Sequence, residues 1–209
     1  MTTSTPTGQC RPPTPRNVVR TLLTLTFLGL IPVGCCKQVT REYVRPQELL
    51  LFLAEPAPGS PALASGARTS APELLASVRF RYEYVAAVSA GSPFVGAAYA
   101  LQCPAEGMSG MKDKITAVAV TSTGLFNGVA AGQSLQHLVR CRTGPGRAEF
   151  PLAQLADSLS TRKLDQLNET VTLRIGPRPA DNAAQQFRVS VRLGNGQEVA
   201  QLTPAIVWN

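Results

Sequence analysis

The residues of this chain with the most chemical reach are five cysteines, Cys10, Cys35, Cys36, Cys103 and Cys141, and one histidine, His137. Cys35 and Cys36 are adjacent and close the apolar stretch "LIPVGCCKQ" (30–38). Vicinal cysteines bridge only with strain, and redox pairs usually stand two residues apart, so thiol–disulfide exchange fits poorly. His137 precedes Cys141 by four, which on a helix would share a face. Two ligands fall short of a closed zinc site, so no metal is expected. A hydrolase would have to assemble Ser134, His137 and Asp157, or pair the acids Asp113 and Glu149. Nothing in their spacing brings these groups together. No Rossmann glycine fingerprint, P-loop, HExxH or GxSxG pattern occurs. The expectation is a protein that is not an enzyme and takes no cofactor.

The amino terminus carries an address. Residues 1–20 hold Arg11, Arg16 and Arg20 and no acid, and residues 21–33, "TLLTLTFLGLIPV", are apolar apart from threonine. Gly34 then precedes Cys35. A basic region, an apolar core and a small residue form the order of a secretion signal. A stretch of 13 residues is short of the roughly 20 that span a bilayer. A retained short anchor helix is the alternative. With cysteine directly after the small residue, the segment resembles a bacterial lipoprotein signal. Pro32 stands where that consensus has leucine, Val33 is tolerated and Gly34 fits. The resemblance implies cleavage before Cys35 and lipid attachment to its thiol. Stable anchoring takes about two membrane signals, which a multiply acylated cysteine supplies. Export in turn places Cys103 and Cys141 in an oxidising compartment, where they suit one disulfide. Such a bridge would contribute roughly 3–4 kcal/mol in the chain-entropy account.

Charge narrows the partners. The net charge is +7, from 20 basic and 13 acidic side chains. Three of the 20 lie in the first 34 residues, leaving 17 against 13. The remainder are spread singly, as at Arg79, Arg81, Arg174, Arg188 and Arg192. Nucleic-acid binding needs a clustered basic footprint, and no run of Lys and Arg provides one.

These residues must be positioned by the body of the chain, which reads as strands. "ASVRFRYEYVAAV" (76–88) alternates Val78, Phe80, Tyr82 and Tyr84 with charged residues, the period of a strand with one buried face. The apolar run Leu49 to Leu53, "FVGAAYALQC" (94–103), "DKITAVAVTSTG" (113–124) and "ETVTLRIGPRP" (169–179) are further strands. Gly124 to Gly128 turns the chain. "QQFRVSVRLGNGQEVAQLTPAIVW" (185–208) is a hairpin about Gly194-Asn195-Gly196, with a docked carboxy terminus. Two short helices are expected, "SLQHLVRC" (134–141) capped by Ser134, and "PLAQLADSLS" (151–160) with Leu152, Leu155 and Leu159 on one face. Residues 56–72, rich in Pro, Ala, Gly and Ser, read as a flexible loop. The expected fold is mainly β, an immunoglobulin-like antiparallel β-sandwich with one or two short helical insertions. The expected organisation is a signal at 1–34, a lipidated tether at 35–42 and one domain at 43–209.

Several pieces of the body resemble a family of small Bacteroidota envelope lipoproteins that carry a domain of unknown function. They are Ala98-Tyr99-Ala100 with Cys103-Pro104, "KITAVAVTSTGLFN" with Phe126-Asn127, "GQSL" (132–135), and "FRVSVRLGNGQEVAQLTPAIVW". Leu101 and Gln102 separate Cys103 from the Tyr-Ala pair, a departure from the family's spacing. The resemblance implies a lipid-anchored sandwich in the outer membrane without an assigned activity. No acidic cluster follows Cys35, which favours facing the periplasm. Partners would be the membrane, through the anchor, and another envelope protein or a glycan. For a glycan, Tyr82, Tyr84 and Tyr99 are the available aromatics, although alternation assigns most of them to the core. "DSL" (157–159) resembles the O-glycosylation tripeptide of that phylum, which makes Ser158 a glycan acceptor or an ordinary helix position.

Overall fold

The computed structural model describes residues 41–86, 106–162, 166–180 and 183–209. The signal segment, Cys10, Cys35, Cys36, Tyr99, Cys103 and the expected strand at 94–103 lie outside them. The described residues are mainly β, built from antiparallel sheets and one short α-helix. In chain order the strands are β1 (Tyr43–Ala54), β2 (Ala67–Thr69), β3 (Leu74–Val85), β4 (Ile115–Ser122), β5 (Val139–Thr143) and β6 (Phe150–Pro151). The helix α1 (Leu155–Ser160) follows. The chain ends with β7 (Val171–Ile175), β8 (Ala184–Gln185), β9 (Phe187–Leu193), β10 (Glu198–Leu202) and β11 (Ile206–Trp208).

One sheet has the order β1-β3-β7-β5-β6 and a second β10-β9-β4, each antiparallel throughout. Alternation explains both. In β9, Phe187, Val189, Val191 and Leu193 are buried while Arg188 and Arg192 are exposed. In β3, Leu74, Ala76, Val78 and Phe80 are buried. The buried faces of the two sheets join one core with Phe126, Phe187 and Trp208, in which Phe126 meets Phe187 edge-on at 5.4 Å. A third, small sheet, β2-β11-β8, docks the carboxy terminus: β11 runs parallel to β2 and antiparallel to β8. The Trp208 Nε1–H donates to the Ala71 carbonyl at 2.6 Å.

Four expectations need correction. Residues 56–72 contain β2 and a bridge between Ala54 and Ala62, and buried Thr69 donates to Glu55 Oε1 at 2.7 Å. The composition hid this because the partner of β2 is β11, far along the chain. Residues 134–141 make only one 3-10 turn, Gln136–Leu138, before Val139 enters β5. Val139 and Cys141 are β-branched or compact, and pairing with β7 outweighs the weak helical period there. The segment after the 194–196 turn pairs with β9 only to Leu202, then crosses to the small sheet as β11. Finally, the buried face of β3 ends at Phe80, and Tyr84 is 44% exposed.

A groove beside the overhang of β3

That last departure locates the candidate site. The β3–β7 ladder ends at the Val78–Val171 pair. From Arg79 to Val85, β3 is paired with β1 but, among the described residues, has no strand on its β7 side. The turn at 166–169 lies there instead, closed by the Glu169 N–H donating to the Gln166 carbonyl at 3.1 Å. Between overhang and turn runs a groove of about 380 Å³. A bulge in β1 lies opposite this stretch: Pro46 faces Tyr82 but Glu48 faces Arg81, leaving Gln47 as the extra residue. Proline lacks the N–H that a ladder needs, which favours a register shift at this point.

The groove has an apolar floor and polar walls. Its apolar lining is Val44, Leu50, Leu167 and Phe80, with Leu50 on the same face of the sheet as Arg79. Phe80 and Tyr82 stack at 5.9 Å between ring centroids, and Tyr84 continues the stripe outward. Burial pushes the Tyr82 hydroxyl from its ordinary 10.0 up to about 12, with the Arg162 charge acting the other way. Tyr82 is therefore neutral and able to donate near neutral pH. The walls carry Arg79, Arg81 and Asn168. Arg81 forms an exposed ion pair with Glu48 at 2.9 Å. Arg79 Nε donates to Thr170 Oγ1 at 3.0 Å, and Arg79 forms no ion pair among the described residues.

Arg162 holds the far wall in place. Its side chain is 4% exposed. Nη1 donates to the carbonyls of Gln166 (3.3 Å) and Glu169 (3.1 Å), pinning the turn that supplies Leu167 and Asn168. Nη2 lies 4.0 Å from Glu169 Oε2, a Coulombic contact too long for a hydrogen bond, and it has no hydrogen-bond partner. Burial lowers the Arg162 pKa, opposed by the neighbouring Tyr82 and Glu169. Arg162 is delivered by α1, whose Leu155, Ala156 and Leu159 are buried. Ser160 fastens the end of α1 to β4, accepting from the Ile115 N–H and donating to the Ile115 carbonyl, both at 3.0 Å.

The residues singled out for chemistry are not brought together. His137 is exposed on its turn, whereas Cys141 faces the core of β5. They share no helical face, because the segment is not a helix. Ser134 and Asp157 are exposed, and no described hydrogen bond joins either to His137. Asp113 is taken by Arg45 at 3.0 Å and by Asn195 at 3.1 Å, and Glu149 by Arg174 at 2.8 Å. Among the described residues no group of three or more His, Cys, Asp or Glu side chains could hold a metal ion. Cys141 is a free, buried thiol that burial pushes up to about 12. Its expected disulfide partner Cys103 lies outside the described residues, as does the lipidation site Cys35. Ser158 is half-buried in α1, and its carbonyl accepts from the Thr161 hydroxyl at 3.2 Å.

Sequence reading supplied Tyr82 and Tyr84 as aromatics, and Asn168 only as the start of the N-linked pattern "NET" (168–170), but missed Arg162 and the gap beside β3. A signal for Arg162 existed: a basic residue just past the end of a leucine-faced helix. Compared with protein-family models, curated proteins and solved structures, the chain finds no match.

Proposed function

We propose that this chain is a lipid-anchored cell-envelope protein whose domain binds rather than catalyses, and that the groove beside β3 is a saccharide contact. The observation that carries the binding role is the stripe Phe80–Tyr82–Tyr84. It leaves the core with Phe80 buried and ends on a Tyr84 ring 44% exposed, in a groove whose lining also includes the hydrogen-bonding groups of Asn168 and Arg79. Planar apolar faces edged by donors suit sugar rings, which present apolar C–H faces and hydroxyl rims. Anchorage rests on the order of Arg11 to Cys35, the outer membrane on the resemblance to envelope lipoproteins, and the periplasmic side on the lack of an acidic cluster after Cys35. No helix among the described residues is long and apolar enough to cross a membrane.

We also read the domain as immunoglobulin-like. The orders β1-β3-β7-β5 and β10-β9-β4 follow the A-B-E-D and G-F-C orders of the constant-type sandwich. Neither β3 nor β9, the counterparts of B and F, carries a cysteine, so the family's inter-sheet bridge has no equivalent between them.

Metabolic labelling with an alkyne fatty acid tests the anchor. Wild type and Cys36→Ala are expected to take label, and Cys35→Ala to lose it. An unlabelled wild type refutes anchoring. Retention on immobilised envelope polysaccharide tests the binding role, with Tyr84→Ala expected to elute early. Equal retention of both proteins would remove the groove from the account.

A further inference from the structure

We infer that the groove selects an acidic oligosaccharide lying along the unpaired edge of β3, an anionic group paired with Arg79 and a sugar ring further along the chain against Tyr84. The inference rests on the saccharide reading above and adds the charge of the ligand. Both charged side chains that line the groove are arginines, Arg79 and Arg81. A third, Arg162, lies behind Tyr82 closely enough to influence its ionisation, and its Nη2 has no hydrogen-bond partner. The acids nearby are already engaged, Glu48 with Arg81, Glu83 with Arg45 and Glu169 with Arg162. Arg79 is different. Thr170 takes its Nε–H, which fixes the guanidinium plane, and no carboxylate among the described residues neutralises it. A guanidinium held by one edge presents its remaining N–H groups as a fork, a geometry that matches carboxylate or phosphate oxygens. The groove is thus a site with apolar stacking surface, neutral donors at Tyr82 and Asn168, and an uncompensated fork. A neutral glycan would leave that fork without a partner of opposite charge, and an apolar peptide would leave the polar walls unmatched.

The test is isothermal titration of the full chain in detergent with oligogalacturonate, with dextran oligosaccharide and with dextran sulfate. Oligogalacturonate is expected to bind and dextran not to bind. Arg79→Gln should weaken oligogalacturonate about tenfold, the size of one charge-assisted hydrogen bond, and Tyr84→Ala should weaken it comparably. Arg192→Gln, on an exposed arginine of the other sheet, should bind as wild type does. Arg79→Lys keeps the charge without the fork and should fall between wild type and Arg79→Gln. It also serves as the informative variant if Arg79→Gln does not fold. Equal, Tyr84-dependent binding of dextran would overturn the acidic class while leaving the saccharide reading intact. Binding of dextran sulfate alone, or equal weakening by Arg192→Gln, would reduce the effect to diffuse charge attraction and overturn the inference. No binding of any polymer would remove the saccharide reading with it.

Discussion

A buried arginine is costly unless its donors are used, and Arg162 uses them to hold a turn. Its two bonds from Nη1 go to the backbone carbonyls of Gln166 and Glu169, four and seven residues further along the chain. Arg162→Met should therefore lower stability by about 1.5–3 kcal/mol, the range for hydrogen bonds to charged groups. For a chain of this size that is a fall in melting temperature of roughly 3–12 °C. An unchanged melt would mean that the turn is held by other contacts. Cys141 presents a second residue-scale test. With its thiol pushed up to about 12, almost no thiolate exists near neutral pH, and the side chain is fully buried. Iodoacetamide should leave Cys141 unmodified in the folded chain and alkylate it after unfolding without reductant. Peptide mapping that finds alkylation only after reduction would instead show Cys141 in a disulfide, as the export reading expects.

At the scale of elements, the carboxy-terminal strand β11 is held by both backbone pairing and one large side chain. Trp208 packs against Phe126 at 6.0 Å and donates to Ala71 across 137 residues of sequence. Trp208→Ala is expected to cost about 3–5 kcal/mol, the usual range for emptying an aromatic core position. Trp208→Phe keeps most of the ring volume and should cost about 1 kcal/mol, the value of the lost hydrogen bond. Chemical denaturation of the two variants separates packing from hydrogen bonding, and equal losses would contradict that division. The five-stranded sheet also explains how singly spaced arginines become neighbours. Register places Arg140 opposite Arg174, a like-charge pair that is destabilising when isolated. Arg174 is flanked by Glu73 at 2.7 Å and Glu149 at 2.8 Å, which offset the repulsion. Sequence spacing concealed this cluster because strands distant in the chain supply its members.

For the whole molecule, a half-buried phenol and a buried thiol set the alkaline limit. Tyr82 is raised from 10.0 and Cys141 from 9.0, each to about 12. In the unfolded chain both groups lose their protons at lower pH than in the folded one. Over that interval the unfolded state binds fewer protons, so the slope of unfolding free energy with pH is negative. Stability is fully present below about pH 9 and declines as pH rises towards about 12. Thermal melts across this range should show a falling midpoint, with Tyr82→Phe flattening part of the decline. A midpoint that holds constant to the top of the range would refute both shifts.

The sequence by itself determined the class of the fold and the positions of most strands. Alternation in β3 and β9 and the turn at 194–196 are local patterns, and a strand with one wet face cannot satisfy its side chains otherwise. It also supplied the leucine face of α1. Tertiary structure decided what no local pattern carries: that β2 finds β11, that Cys141 lies in a strand rather than a helix, and that β7 ends one pair short of Arg79. The candidate site depends on that last fact. Tyr82 and Tyr84 continue the alternation of β3, and the period alone assigns them to the core. Only the end of the neighbouring strand leaves them beside a groove, because burial is a property of what packs against a residue and not of its place in a repeat.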